Sequence, residues 1–237
     1  MNVIQIIRAA CGTTGITRPS NAVGSADSGI VQLLELLNEE GSELAARGNW
    51  QALTAEKTFT TVATESQGTL VSIIGAANNY RHIVNETIWN RTTKEPICVI
   101  DDPGAWQAWK ALGVTGSALQ YRVRGGELLF LQVPTADQTC AFEYVTKNWL
   151  TDSTGASFYS SANADEDVSR LDDELILTGL KWRWLKSKGL EFGENYAQYE
   201  RRVVDALAKD GTKRTRSLAG NVSLTGIPVG IPRLIGS

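Results

Sequence analysis

The side chains that most often perform catalysis are sparse in this sequence. His82 is the only histidine among 237 residues, so a histidine cluster for metal binding is excluded. A Ser-His or Cys-His pair would depend on this single residue, and a lone histidine beside Arg81 more often has a structural role. The sequence contains no Walker loop, no dinucleotide-binding glycine fingerprint and no Gly-x-Ser-x-Gly elbow. We therefore expect no enzymatic activity, no cofactor and no metal requirement.

Several carboxylates are adjacent in sequence, as acid–base or metal-binding pairs often are. Asp101 and Asp102 form one such pair, but Asp102 also fits as a helix cap. The acidic groups at 165–167 and 172–173 lie before or at a predicted helix start, where the helix dipole favours negative charge. A hydrolase using Asp101 or Glu143 would need a second well-placed carboxylate, which the spacing does not supply. The carboxylates are therefore interpreted as structural.

Cysteine usage and hydropathy indicate where the protein is made. Cys11, Cys98 and Cys140 are odd in number, far apart and without a Cys-x-x-Cys pair, which favours reduced thiols in a cytoplasm. No run approaches the roughly 18 apolar residues of a membrane span. The N-terminus lacks the charged-then-apolar order of a signal peptide. We expect no membrane partner.

Seven tryptophans permit a second interpretation, in which the protein binds glycans. Trp89, Trp106 and Trp109 would then be stacking platforms for sugar rings. Their spacing also fits the apolar faces of packed elements, and aromatic side chains fill cores and subunit interfaces. We favour the packing role and keep a glycan-binding receptor or baseplate module as the alternative.

Four helices are predicted at the two ends of the chain from apolar residues at helical spacing. The first, over 2–11, stops at Gly12, and the second is capped by Asp27 or Ser28 and ends near Gly48. The third begins at Ser169, with Asp172 completing a capping box, and ends at Gly189. It is apolar on two sides, so it needs neighbours on two sides. The fourth covers residues 194–209.

The middle of the chain alternates between apolar and polar residues, which predicts strands. Two of these runs, 119–123 and 129–133, flank Gly125-Gly126 and predict a hairpin. One short helix follows Asp102 and stops at Gly113. The further predicted elements are strands over 57–62, 86–91 and 140–146, a connector over 13–25 and a mobile loop over 148–166.

These patterns predict an α+β chain in which both chain ends form a helical bundle with an inserted β-rich domain. The predicted boundaries are 1–55 and 165–211 for the bundle, 56–164 for the inserted domain and 212–237 for an extended C-terminal arm. The arm has too many glycines and prolines for a helix or central strand, yet it is too apolar for a solvated linker. We expect it to bind along a groove or sheet edge of another chain through Arg214, Arg216, Ile227, Pro228, Val229, Ile231, Pro232, Arg233 and Leu234.

Charge is unevenly distributed along the chain. The net charge is −3, but residues 212–237 contain Lys213, Arg214, Arg216 and Arg233 and no acid. This arm therefore carries +4 and the preceding body −7. An acidic body with a basic arm suits binding to an acidic partner surface.

The order of these features resembles the head-to-tail adaptor family of tailed bacteriophages, which includes the tail tubular protein A or gatekeeper ring proteins of short-tailed phages. The resemblance rests first on an amphipathic helix that runs from 33–37 through 44–50 and ends in the step Gly48-Asn-Trp50. A strand at 56–60 follows this helix directly. The segment Asp101-Asp-Pro-Gly-Ala-Trp106 looks like the family's short helix with an acidic start. The final helix and arm, 194–237, are similar to the element that clasps the portal. The chain departs from the family in its long connector and richer β region.

This resemblance implies a structural virion protein in the neck of the particle, assembled in the host cytoplasm. It implies a ring, typically of twelve copies, that docks on the portal, extends the DNA channel and attaches tail or nozzle proteins. DNA would pass through the lumen without specific binding.

Overall fold

The computed structural model describes residues 1–113 and 118–211. These residues form a mixed α+β protein, which confirms the predicted class. The predicted arm over 212–237 lies outside the described residues. The described α-helices are α1 (Val3–Thr14), α2 (Ser28–Ala46), α3 (Leu70–Ile74), α4 (Pro103–Leu112), α5 (Asp173–Ser187) and α6 (Gly193–Asp210).

The chain divides into two compact units. The helical unit contains Met1–Ala55, Ala76–His82 and residues 145–211. The β-rich unit contains Glu56–Gly75 and Ile83–Tyr144.

Short strands make up the sheets of the described residues. In the β-rich unit one sheet has the order β2-β8-β7-β6, in which only β6 and β7 run parallel. A second sheet has the order β1-β9-β4-β5. The helical unit contains the antiparallel sheet β11-β10-β12. The strands are β1 (Thr54–Thr60), β2 (Ser66–Thr69), β3 (Tyr80–Ile83), β4 (Trp89–Asn90), β5 (Glu95–Pro96), β6 (Cys98–Val99), β7 (Gln120–Arg124), β8 (Glu127–Phe130), β9 (Thr139–Thr146), β10 (Leu150–Thr151), β11 (Phe158–Tyr159) and β12 (Val168–Ser169).

Local sequence signals explain most of these elements. Asp27 caps α2 by accepting from the amides of Gly29 and Ile30, and Asp102 caps α4 in the same way. The predicted hairpin is confirmed, since β7 and β8 pair antiparallel across Gly125-Gly126, and both glycines have positive φ.

The first and third predicted helices have wrong boundaries. α1 continues through Gly12 to Thr14 and ends at Gly15, whose left-handed φ of 74° supplies the helix end. α5 begins at Asp173, because Asp172 caps the amides of Glu174 and Leu175. Ser169 instead lies in β12, where it pairs with Leu150 of β10, so the predicted capping box does not form.

The predicted strand over 86–91 is also too long. Only Trp89 and Asn90 are extended, because Glu86 has a φ of 64°, which belongs to a turn. The predicted return strand ends at Phe130, and Val133 is 61% exposed.

Residues 148–166, predicted as a mobile loop, contain β10 and β11 and lie in the helical unit. The cause is Trp149, which is fully buried and donates from Nε1 to the Ser160 carbonyl at 2.9 Å. The Asp165 carboxylate accepts from the amides of Ala22 and Val23, which fixes the far end of the segment on the first connector. Side-chain anchors of this kind leave no periodic signal in a polar sequence.

Helix packing in the helical unit centres on α5, which contacts α1, α2 and α6. Leu33 and Leu37 of α2 and Leu180 of α5 are fully buried. Gly41 allows a close approach, since a Cβ there would lie 2.2 Å from Trp149 Cε2. Trp50 follows α2 and donates from its indole nitrogen to the Leu44 carbonyl at 2.7 Å.

We expect Gly41→Ala to lower the free energy of unfolding by at least about 1–3 kcal/mol, because Trp149 must move to admit the methyl group. The matched control is Gly12→Ala, where the new Cβ would be 3.6 Å from its nearest neighbour, Arg18 Nη2. That helical site should gain about 0.4–1 kcal/mol from the reduced entropy of the unfolded chain. Urea denaturation of both variants checks this, and equal stability of the two would contradict the Gly41–Trp149 contact.

Candidate functional site

A buried arginine pairs with carboxylates on the facing helix in the helical unit. Arg183 of α5 is 5% exposed, and its Nε lies 2.7 Å from Oε2 of Glu40, which is fully buried on α2. The other guanidinium nitrogens pair with Glu39, at 2.6 Å, and with Glu43. The guanidinium thereby connects two successive turns of α2 to one point of α5.

Arg47 extends these contacts to α6. Its two terminal nitrogens lie 2.7 and 2.8 Å from the carboxylate oxygens of Glu200, which is the bidentate geometry that arginine favours. Arg47 also contacts Glu43 at 2.9 Å. The six residues Glu39, Glu40, Glu43, Arg47, Arg183 and Glu200, the Arg183 cluster, join α2, α5 and α6.

Burial governs the protonation of this cluster. Burial raises the pKa of the Glu40 carboxyl, and the hydrogen bond and charge of Arg183 offset only part of that rise. Burial and the nearby Glu40 charge raise the pKa of the Tyr199 hydroxyl. Partial burial acts to raise the pKa of Glu43, but hydrogen bonds from Arg183 and Arg47 outweigh it and lower the pKa. The Glu40 side chain fits because residue 179 is glycine: a Cβ at Gly179 would lie 2.1 Å from Glu40 Oε1. The arrangement fits a structural role for the cluster.

The β-rich unit contains a groove with a volume of about 540 Å³, in the size range of small-ligand and peptide-side-chain sites. Trp89 of β4 supplies aromatic surface, whereas Phe142 of β9 is only 1% exposed. Glu56, Glu86 and Glu143 supply carboxylates, and Arg91 and Lys94 supply the basic groups. This charged aromatic groove is a candidate ligand site.

Hydrogen bonds inside the unit already occupy much of the neutral polar lining of this groove. Thr87 Oγ1 donates to the Val84 carbonyl at 2.6 Å and accepts from the Glu143 amide at 3.1 Å. Asn90 is buried; its amide nitrogen donates to Gln138, and its oxygen accepts from two backbone amides. Arg91 lies 2.5 Å from Glu56. Glu86, Glu143 and Lys94 are exposed residues.

The residues considered for catalysis or glycan stacking have separate locations. Glu143 and Trp89 both line the groove. Asp102 caps α4, and Trp106 is 1% exposed, so Trp106 is not a stacking platform. Trp109 is 38% exposed on the same short helix.

His82 lies in the helical unit, with Nε2 2.9 Å from Asn49 Oδ1. Partial burial, followed by the Arg81 charge, lowers its pKa. Among the described residues, no three His, Cys, Asp or Glu side chains are grouped as metal ligands. No helix in the described ranges is both long and apolar enough to cross a membrane.

The predicted partner-binding residues of the arm all lie outside the described residues: Arg214, Arg216, Ile227, Pro228, Val229, Ile231, Pro232, Arg233 and Leu234. Sequence reasoning missed the Arg183 cluster and the groove. The sequence signal for the cluster has two parts: a charged residue between Trp182 and Trp184 in one predicted helix, and the acidic run Glu39-Glu40 in another.

No protein-family model and no curated protein matches the sequence. The fold and described surfaces define a coarser class. The chain is an α+β protein whose helical unit is joined by a buried ionic cluster and whose β-rich unit carries a charged aromatic groove.

We expect Arg183→Met to lower the free energy of unfolding by about 3–5 kcal/mol at pH 7, because Glu40 would remain buried without its counter-charge. In this variant the folded-state pKa of Glu40 rises further above its unfolded value. The destabilisation should therefore shrink as pH falls through that folded pKa. Urea denaturation at pH 7 and pH 5 measures both effects.

The control for this variant is Arg202→Met, which removes an exposed arginine 3.6 Å from Glu174 and should change stability little. Adding Glu40→Gln to Arg183→Met should recover much of the loss. An Arg183→Met protein as stable as the Arg202→Met control at pH 7 would contradict the cluster.

Proposed function

We propose that this protein is a structural virion component, a head-to-tail adaptor that forms a ring on the portal, extends the DNA channel and attaches tail or nozzle proteins. The proposal includes no enzymatic activity and no cofactor. The observation that carries it is the order of elements: the amphipathic helix α2 followed by Gly48-Asn-Trp50, then a strand, a β-rich unit and two final helices. This is the order on which the resemblance to phage adaptors rests.

Packing between helices from the two ends of the chain supports the finer architecture, a helical bundle made by both ends. Arg183 near the end of the chain pairs with Glu40 near its beginning. Met1 also participates, since its amino group lies 2.6 Å from the Asp173 carboxylate. Such a bundle would be a rigid base from which residues 212–237 extend as an arm.

Charge supports passage of DNA through a ring. Residues 1–211 carry a net charge of −7. A lumen of the same sign as DNA repels the phosphate backbone, so DNA can slide without binding specifically. The proposed partners are thus the portal, the tail or nozzle proteins and further copies of the chain, about twelve in the ring.

The alternative function is glycan binding by a receptor or baseplate module. The position of Trp89 in the groove favours it, whereas the burial of Trp106 removes one of its three predicted platforms. Titration of the protein with oligosaccharides, followed by tryptophan fluorescence, separates the two functions. Saturable quenching that Trp89→Ala abolishes would favour the alternative.

The main test concerns the arm, because the adaptor proposal requires it for portal binding. We expect a chain truncated after Ala219 to be folded but no longer to co-sediment with portal complexes. A second variant keeps the full-length chain and changes only apolar residues of the arm. Val229→Ser, Ile231→Ser and Leu234→Ser in the arm should abolish co-sedimentation, because these side chains would fill partner pockets.

The control for that comparison makes three apolar-to-serine changes at exposed positions of the body, Val31→Ser, Val133→Ser and Val204→Ser. These should leave portal binding unchanged. Equal portal affinity of the arm and body variants would overturn the role of the arm.

A further inference from the structure

The groove of the β-rich unit has the chemistry of a site for cationic side chains. Its aromatic wall contains the half-buried Trp89, whose indole face attracts cations. Glu86 and Glu143 lie in the same groove. A ring face beside carboxylates favours an ammonium or guanidinium group over a neutral ligand.

The remaining polar groups of the groove argue against a sugar. A sugar binds through its hydroxyl hydrogen bonds and a stacking face, and it carries no charge for the carboxylates to attract. Thr87 and Asn90 already use their side chains in bonds within the unit. The groove is lined by three carboxylates and two basic groups: Glu56, Glu86, Glu143, Arg91 and Lys94. The local charge balance is negative.

The chain itself contains a matching ligand. Residues 213–216 read Lys-Arg-Thr-Arg, with no acid anywhere in 212–237. They follow α6 directly, which ends at Asp210. The described residues of the β-rich unit contain nine acids and six bases, a net charge of −3, so the unit attracts such a segment.

We propose that the groove is the docking site for the basic segment 213–216 of a neighbouring copy, with an arginine on the Trp89 face and a second cation at Glu143. The choice of a neighbouring copy rests on the proposed ring. Six extended residues span at most about 20 Å, so the neighbour's groove lies within that distance of the end of α6. Repetition around a ring adds avidity to a contact that is weak in each copy.

The test uses a fluorescein-labelled peptide of residues 211–220 and the full-length chain carrying Lys213→Gln, Arg214→Gln and Arg216→Gln, so that its own segment does not compete. Fluorescence anisotropy at low ionic strength should show saturable binding. Glu86→Gln with Glu143→Gln should weaken it at least tenfold, and so should Trp89→Ala.

Matched controls remove the same chemistry outside the groove. Glu95→Gln with Glu127→Gln, and separately Trp109→Ala, should leave the affinity unchanged. If both pairs of glutamate substitutions weakened binding equally, overall charge would explain the attraction and the proposed site would be wrong. Absence of peptide binding would overturn it as well.

Sedimentation of the full-length chain with its own basic segment tests the choice of a neighbour. Self-association should rise with concentration and fall with Glu86→Gln and Glu143→Gln. A protein that binds the peptide but stays monomeric at every concentration would contradict docking between copies. Neither assay uses a portal, so failure of the adaptor function and failure of this docking are distinguishable.

Discussion

The ion pair between Arg183 and Glu40 is the constraint on which the helical unit depends. A guanidinium that is 5% exposed needs carboxylates on every accessible side, and α2 supplies them from successive turns. This need fixes the rotation of α5 against α2, and Arg47 carries the same requirement to Glu200 on α6. Gly179 is part of the arrangement, because any side chain there would occupy the position of the Glu40 carboxyl. The register of three helices is therefore set by charge as well as by apolar packing.

Sequence reasoning succeeded where a local signal decides the structure. Asp27 and Asp102 begin their helices, and Gly125-Gly126 turns the hairpin. It failed where distant contacts decide. The capping-box pattern predicts a start of α5 at Ser169, but Ser169 pairs with Leu150 in the sheet and the helix is capped by Asp172 instead. The polar stretch 148–166 is ordered by Trp149, which periodicity alone could not place in the core.

The candidate sites show the same division. The apolar character of α5 on two sides was evident, but burial of Arg183 between two tryptophans was not, because its carboxylate partners are about 140 residues away. The groove draws on β1, β4 and β9, and no single stretch of sequence contains enough of it to be recognised. The acid-free composition of 212–237 needed no structure to be noticed, and it gives the groove its proposed ligand.

Electron microscopy of the purified full-length protein mixed with the portal protein from the same genome tests the central claim most directly. If the protein is a head-to-tail adaptor, class averages will show one added ring of density, coaxial with the portal and open along the DNA channel. Portal rings that remain bare at saturating protein, or that carry density off the axis, would contradict the account.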